Sequence, residues 1–96
     1  MVMNVGISEN NSPNGFIISP NPASGTITIA FTLHASQKAS LKIYDVNGRC
    51  LTTITDKNFN AGENRLTWNV GNLDSGVYLL RLQTETGIEN RKLVIQ

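Results

Sequence analysis

Apolar and polar residues alternate along most of this chain with the period of two that is typical of β-strands. The clearest case is the segment 26–33, in which one face carries only large apolar side chains: Ile27, Ile29, Phe31 and Leu33. The other face carries threonine and alanine. This pattern predicts a strand that packs one face against a hydrophobic core and turns the other towards solvent.

Similar segments recur along the chain, separated by turns at the intervals expected of a β-sandwich, and no stretch longer than four residues has helical spacing. The predicted strands are residues 16–19, 26–33, 39–44, 49–55, 62–70, 77–84 and 88–96. The fold class that follows is all-β, an Ig-like sandwich of about seven antiparallel strands in two sheets. Residues 56–61, which include Phe59, are predicted to be a polar loop, and Pro20-Asn21-Pro22 a stiff crossover between the sheets.

The turn and strand at residues 74–82 are the stretch around which this sandwich is organised. Gly76 can adopt the left-handed angle that ends a type I turn, and Asp74 can accept hydrogen bonds from turn amides. Tyr78 then points inward, and its hydroxyl needs a backbone partner a few residues upstream, as in a tyrosine corner. The alternative is an ordinary turn, because short patterns recur by chance. The strand that follows is so apolar that we expect it inside its sheet.

Two turns compete at residues 45–48. A two-residue type I′ loop would pair Ile43 with Thr52 and place Cys50 on the core face. A type I turn that starts at Asp45 and has Gly48 left-handed would instead pair Ile43 with Leu51.

The second turn is favoured because it gathers Leu41, Ile43 and Leu51 on one face and uses Asp45 where a type I turn prefers aspartate. The Asp-x-Asn-Gly fragment is similar to the start of a calcium loop, but the remaining ligand positions and the closing glutamate are missing. No metal site is predicted there.

Composition excludes several classes of function. The 96 residues include 8 basic and 7 acidic side chains, and a net charge of +1 gives no electrostatic reason to bind nucleic acid or an anionic membrane. Cys50 is the only cysteine, so no internal disulfide or cysteine metal site is expected, and a lone strand cysteine is most often buried or half-buried. No apolar run is long enough for a membrane helix, and the first basic residue is Lys38, which argues against an N-terminal signal peptide.

Residues 1–15 are rich in asparagine, serine and glycine and are predicted to be a flexible linker, with the folded domain at 16–96. The glycosylation sequon at residues 10–12 is interpreted as a chance match. His34 has no candidate partner and is expected to be solvated. No catalytic set of serine or cysteine with histidine is found, so an enzyme is the least favoured class.

A carbohydrate-binding, adhesive or structural module is the alternative function. It depends on Trp68, Tyr44 or Phe59 forming an exposed aromatic row. The position of Trp68 in its predicted strand matches that of Leu66 and Val70, which favours the core instead.

Five motifs in a fixed order carry a resemblance to a known family. They are Pro20-Asn21-Pro22, the segment from Leu41 to Arg49, Gly62-Glu63-Asn64 before Leu66 and Trp68, Ser75-Gly76-Val77-Tyr78, and the ending from Arg91 to Gln96. From about Ile17 to Gln96 the chain resembles the C-terminal sorting domain of the type IX secretion system (Por secretion system), and the related Ig-like domain of flagellar hook-capping proteins.

The resemblance implies a secretion signal without catalysis or a cofactor of its own, and without direct insertion in a membrane. In such proteins a folded cargo in the periplasm of a Gram-negative bacterium is recognised through this domain by the translocon and a shuttle protein. The cargo crosses the outer membrane to the cell surface or the medium. A sortase-like C-terminal signal peptidase cuts ahead of the domain and commonly joins the cargo to anionic lipopolysaccharide.

Two sets of residues follow from the resemblance. The translocon recognition segment comprises Arg91, Lys92, Leu93, Val94, Ile95 and Gln96, and the cut falls before Phe16. The family motif positions are Pro20, Asn21, Pro22, Asp45, Gly48, Arg49, Gly62, Trp68, Asp74, Gly76 and Tyr78.

The last predicted strand is apolar on both faces, with Val94 on one face and Leu93 and Ile95 on the other. At a sheet edge such a strand could peel away or pair its backbone with a receptor, with Lys92 as a charged register mark. The alternative is an ordinary last strand on which Lys92 protects the edge. A long unprotected edge also leaves a strand-exchanged dimer open.

Overall fold

A computed structural model describes residues 14–96. These residues form seven strands and no helix, and therefore no helix that could cross a membrane. The strands are β1 Ile17–Ser19, β2 Thr26–Leu33, β3 Gln37–Tyr44, β4 Cys50–Phe59, β5 Gly62–Asn69, β6 Gly76–Thr84 and β7 Gly87–Ile95. The all-β prediction and the number of strands are confirmed. Most of the predicted linker and its sequon lie outside the described residues.

Two antiparallel sheets stack to form the sandwich. One has the order β1-β2-β5 and the other the order β4-β3-β6-β7. In constant-type Ig domains the fourth strand joins the first sheet, whereas here β4 pairs with β3. β6 lies inside its sheet, as its apolar sequence predicted, and β7 forms an edge.

The core lies between the sheets and receives the inward side chains of both. Each large apolar side chain buried there stabilises the fold by about 1.5–3 kcal/mol relative to the exposed state. The most deeply buried are Phe16, Ile27, Ile29, Phe31, Leu33, Leu41, Ile43, Val70, Leu80, Leu82 and Leu93. The alternation predicted for residues 26–33 holds for the inward face, whereas on the other face Ala30 is also buried, at 4% exposure.

The tyrosine corner is present at the entrance to β6. The hydroxyl of Tyr78 donates to the backbone oxygen of Asp74 at 2.6 Å, and the ring is buried. Gly76 has φ = 154°, a positive angle that favours glycine but is more extended than the left-handed angle expected of a type I turn. The corner thus satisfies the one polar atom that Tyr78 brings into the core.

The β3–β4 turn has the favoured geometry. The N–H of Gly48 donates to the carbonyl of Asp45 at 3.0 Å, and Gly48 has φ = 86°. The Asp45 carboxylate accepts the N–H groups of Asn47 at 2.9 Å and Arg49 at 3.0 Å. The bond from the Arg49 N–H is the main cause that lowers the pKa of Asp45 below its usual value. The Arg49 side chain adds an ion pair at 3.4 Å.

The register that was predicted with this turn is wrong. Ile43 pairs with Thr52, and Tyr44 pairs with Cys50, because a bulge between them leaves Leu51 without a partner. Leu51 is therefore 36% exposed instead of joining the core. Cys50 is also exposed, against the expectation for a lone cysteine. The sequence carries no signal for a bulge that lies beyond the turn itself.

The prediction of a loop at residues 56–61 is also wrong in part, because β4 continues to Phe59. Its polar residues suit an edge strand, where Lys38 forms an exposed ion pair with Asp56 at 3.7 Å. Phe59 meets the ring of Phe31 edge-on, with centroids 5.3 Å apart. That core contact holds the end of the strand in place despite its polar sequence.

Replacing Tyr78 by phenylalanine should lower the free energy of unfolding by about 1–2 kcal/mol, since it leaves the Asp74 carbonyl without its donor. The matched control is Tyr44→Phe, whose ring lies on the outer face of its sheet and whose hydroxyl has no hydrogen bond among the described residues. Urea denaturation would measure both variants. Equal losses would contradict the role given to the corner.

Candidate functional site

The last strand of the sandwich, β7, carries five of the six predicted recognition residues. It pairs with β6 on one side only. Leu93 and Ile95 point into the core, with 0% and 5% exposure, whereas Lys92 is exposed and Val94 is half-buried. The predicted division of the apolar residues between the two faces is correct. In the folded domain, Leu93 and Ile95 are hidden from any receptor.

Arg91 faces inward and fastens β7 to the start of β1. Its Nε donates to the carbonyl of Phe16 at 2.9 Å, and its guanidinium lies 5.5 Å from the centre of the Phe16 ring. Glu89 lies on the same side, with 3.9 Å between the charged groups, and the Arg91 side chain is only 25% exposed. The main role of Arg91 in the folded domain is therefore structural.

The Pro20–Ala23 corner covers the free edge of β7. The Asn21 side chain donates to the carbonyl of Lys92 at 2.8 Å and accepts the N–H of Val94 at 3.0 Å. Ala23 continues the pairing: its N–H donates to the Val94 carbonyl at 2.7 Å, and its carbonyl accepts the N–H of Gln96 at 2.8 Å.

The corner does not move the chain from one sheet to the other, so that prediction is wrong. β1 and β2 are neighbours in the same sheet, and the corner only reaches across to β7 before it returns. Both peptide bonds that precede its prolines are cis. The role of the Asn21 amide could not be found from sequence, because its partners lie 71 and 73 positions away.

An open groove of about 440 Å³ runs between β1, the corner and β7. We call it the β1–β7 groove. Its lining residues come from the two ends of the folded unit: Phe16, Ile17, Ile18, Asn21, Pro22, Arg91, Lys92 and Val94. Lys92 forms no ion pair with any acidic residue of the described chain. The groove therefore combines apolar walls with one available positive charge.

The aromatic residues of the alternative function do not form one row. Trp68 is partly buried and packs against the core, as does Phe59. Tyr44 lies on the outer face of its sheet, where the Arg81 guanidinium stacks on its ring at 4.4 Å.

Gly62, at the start of β5, has φ = 99°. Residues 14–96 hold no group of three or more side chains suited to bind a metal ion.

Exchanging Arg91 for alanine should destabilise the domain by about 1–3 kcal/mol, because the Phe16 carbonyl and Glu89 lose their charged partner. The same change at the neighbouring Lys92 should stay within about 0.5 kcal/mol. Thermal and urea unfolding of the two variants tests this difference. If Lys92→Ala were the more damaging change, the inward and outward roles given to these residues would be reversed.

The comparisons with known proteins agree with this architecture. The family model for the secretion system C-terminal sorting domain matches residues 17–96. Among solved structures, the crystal structure of dimeric latent PorU from Porphyromonas gingivalis is similar with a TM-score of 0.66 and 18% identity. The match covers 83% of this chain and only 9% of that one, so it supports the fold alone. Comparison with curated proteins gives no match.

The family match extends over nearly all of the described chain, from β1 through the corner and the tyrosine corner to the end of β7. It therefore includes both sides of the contact between the corner and the last strand. The chain belongs to the family of secretion system C-terminal sorting domains.

Proposed function

We propose that this domain directs an attached cargo protein across the outer membrane through the type IX secretion system, and that residues 92–96 are the part that is read. The observation that carries this proposal is the family match over residues 17–96. The exposure of Lys92 and Gln96 at this end of the sheet supports it, because a receptor can reach these side chains from outside. The domain acts as a binding element rather than an enzyme.

The structure narrows which side chains a receptor could contact. Lys92 and Gln96 are exposed and Val94 is half-buried, whereas the residues between them belong to the core. The proposed partners are the translocon, a shuttle protein and a C-terminal signal peptidase. The proposed location is the outer membrane, cell surface or medium of a Gram-negative bacterium. A strand-exchanged dimer stays a prediction.

The proposed cleavage by a sortase-like peptidase falls in the linker ahead of the domain. Asn14, which was assigned to the linker at 1–15, is 5% exposed, and its side chain donates to the carbonyl of Thr32 at 2.8 Å. The N–H of Thr32 also donates to the Asn14 carbonyl at 2.7 Å. Since a peptidase needs an extended, accessible chain, we place the cut before Asn14 rather than next to Phe16.

A reporter fused ahead of the chain in a host with this secretion system should be exported, and Lys92→Ala should lower export severalfold without unfolding the domain. Deletion of residues 92–96 is a poorer test, because it also removes Leu93 and Ile95 from the core. Lys57→Ala, on the opposite edge strand, is the matched control and should export normally. Full export of Lys92→Ala would contradict the recognition role of this residue.

The exported reporter should lack the whole folded domain. Its mass, determined by mass spectrometry, should place the new end before Asn14, since the residues that follow are held against β2. Reporter recovered from outside the cell with the domain still attached would contradict the proposed removal. This outcome would leave the sorting role itself intact.

A further inference from the structure

The contact between the corner and β7 imitates the pairing of two strands. The carboxamide of Asn21 takes the place of a peptide group, donating to the carbonyl of Lys92 and accepting from the N–H of Val94. Ala23 then pairs through its own backbone, with its N–H donating to Val94 and its carbonyl accepting from Gln96, in the parallel sense. Four backbone groups on the outer side of β7 are therefore already paired within the chain.

This pairing conflicts with recognition by strand addition. A receptor strand could pair with residues 92–96 only by first displacing the corner, and it would gain hydrogen bonds that merely replace the existing ones. The side chains beside this edge need no such displacement. Lys92, Ile17 and Pro22 are exposed, with Ile17 at 61%, and all three line the β1–β7 groove.

We infer that the Pro20–Ala23 corner is an edge cap that stays in place during recognition, and that the receptor reads the β1–β7 groove as one surface. This inference rests on the proposed sorting function. It assigns the corner, at the start of the domain, to the same recognition surface as Lys92, at its end. The backbone of β7 is then a support for the reading surface and is not itself read.

The groove defines the chemistry of the partner. The ammonium group of Lys92 forms no ion pair within residues 14–96, whereas the guanidinium of Arg91 is engaged by Phe16, Asn90 and Glu89. The matching partner is a protein segment that places a carboxylate against Lys92 and apolar side chains against Ile17 and Pro22. Burial of these apolar contacts would supply affinity, and the ion pair would fix the register.

Two variants separate the cap from the surface. Asn21→Ala removes the two side-chain bonds to β7, so the Val94 amide should exchange its hydrogen about tenfold faster. Ile17→Ser removes an exposed apolar side chain but no hydrogen bond of the cap, so exchange at Val94 should not change. Hydrogen exchange followed by NMR on the 96-residue chain measures both effects.

The matched control is Asn64→Ala. The Asn64 side chain also donates two hydrogen bonds to backbone carbonyls, those of Asn60 at 2.9 Å and Gly62 at 3.3 Å, but it lies on β5, away from the groove. Exchange at Val94 and export of a fused reporter should both be unaffected in this variant.

Export of the fused reporter decides between the two modes of recognition. If the capped surface is read, Asn21→Ala and Ile17→Ser should both lower export severalfold. If a strand is added to β7, Asn21→Ala should export as well as the parent or better, because the edge is already open, and that result would overturn the inference. Should Asn21→Ala fail to fold, Ile17→Ser alone decides, and normal export of this variant overturns the inference.

Failure of the inference and failure of the proposed function give different results. A reporter that was expressed without the fused domain and still reached the medium would contradict the function itself. A reporter that requires the domain but tolerates both Asn21→Ala and Ile17→Ser would contradict only the composite surface. The hydrogen-exchange measurement is independent of export and tests the cap by itself.

Discussion

The structure depends on the contact that joins its two ends. The bonds of Asn21 and of Arg91 connect positions that are 71 to 75 residues apart, and they are the means by which β7 is fixed both to the corner and to Phe16. Contacts of this separation cost chain entropy that only a completed core can offset. β7 is therefore fixed in its final position only in the completed sandwich, which fits the proposal that the sorting signal is displayed by a folded domain.

The two edges of the four-stranded sheet are protected by different means. On β4 the edge carries polar residues, the exposed Lys38–Asp56 pair and a bulge beside Leu51, which are common devices against pairing between molecules. On β7 the charged residues Glu89, Arg91 and Lys92 precede an apolar end, and at that end the protection comes from the corner. This difference fits the proposed role, because the corner occupies the backbone groups at the end of β7 and leaves the side chain of Lys92 exposed.

The sequence was sufficient for those features that depend on neighbouring residues. The period of two gave all seven strands, the inward face of Thr26–Leu33 and the buried Tyr78, since these follow from local geometry and from burial. It failed where a tertiary contact decides. Phe59 is drawn into β4 by the ring of Phe31, and the bulge at Leu51 changes the register without any local mark. The Asn21 amide was beyond prediction for the same reason, because nothing near it in sequence shows that its partners lie on β7.

The motifs that carried the family resemblance are physically connected. Pro20-Asn21-Pro22 is weak as a pattern, and so is the ending Arg91 to Gln96, yet the structure shows them as the two halves of one contact. The other motifs hold the strands between these halves: the tyrosine corner sets the start of β6, and β6 in turn pairs with β7 along its whole length. The set is more specific than any member, because its first and last motifs meet in one contact of the folded domain.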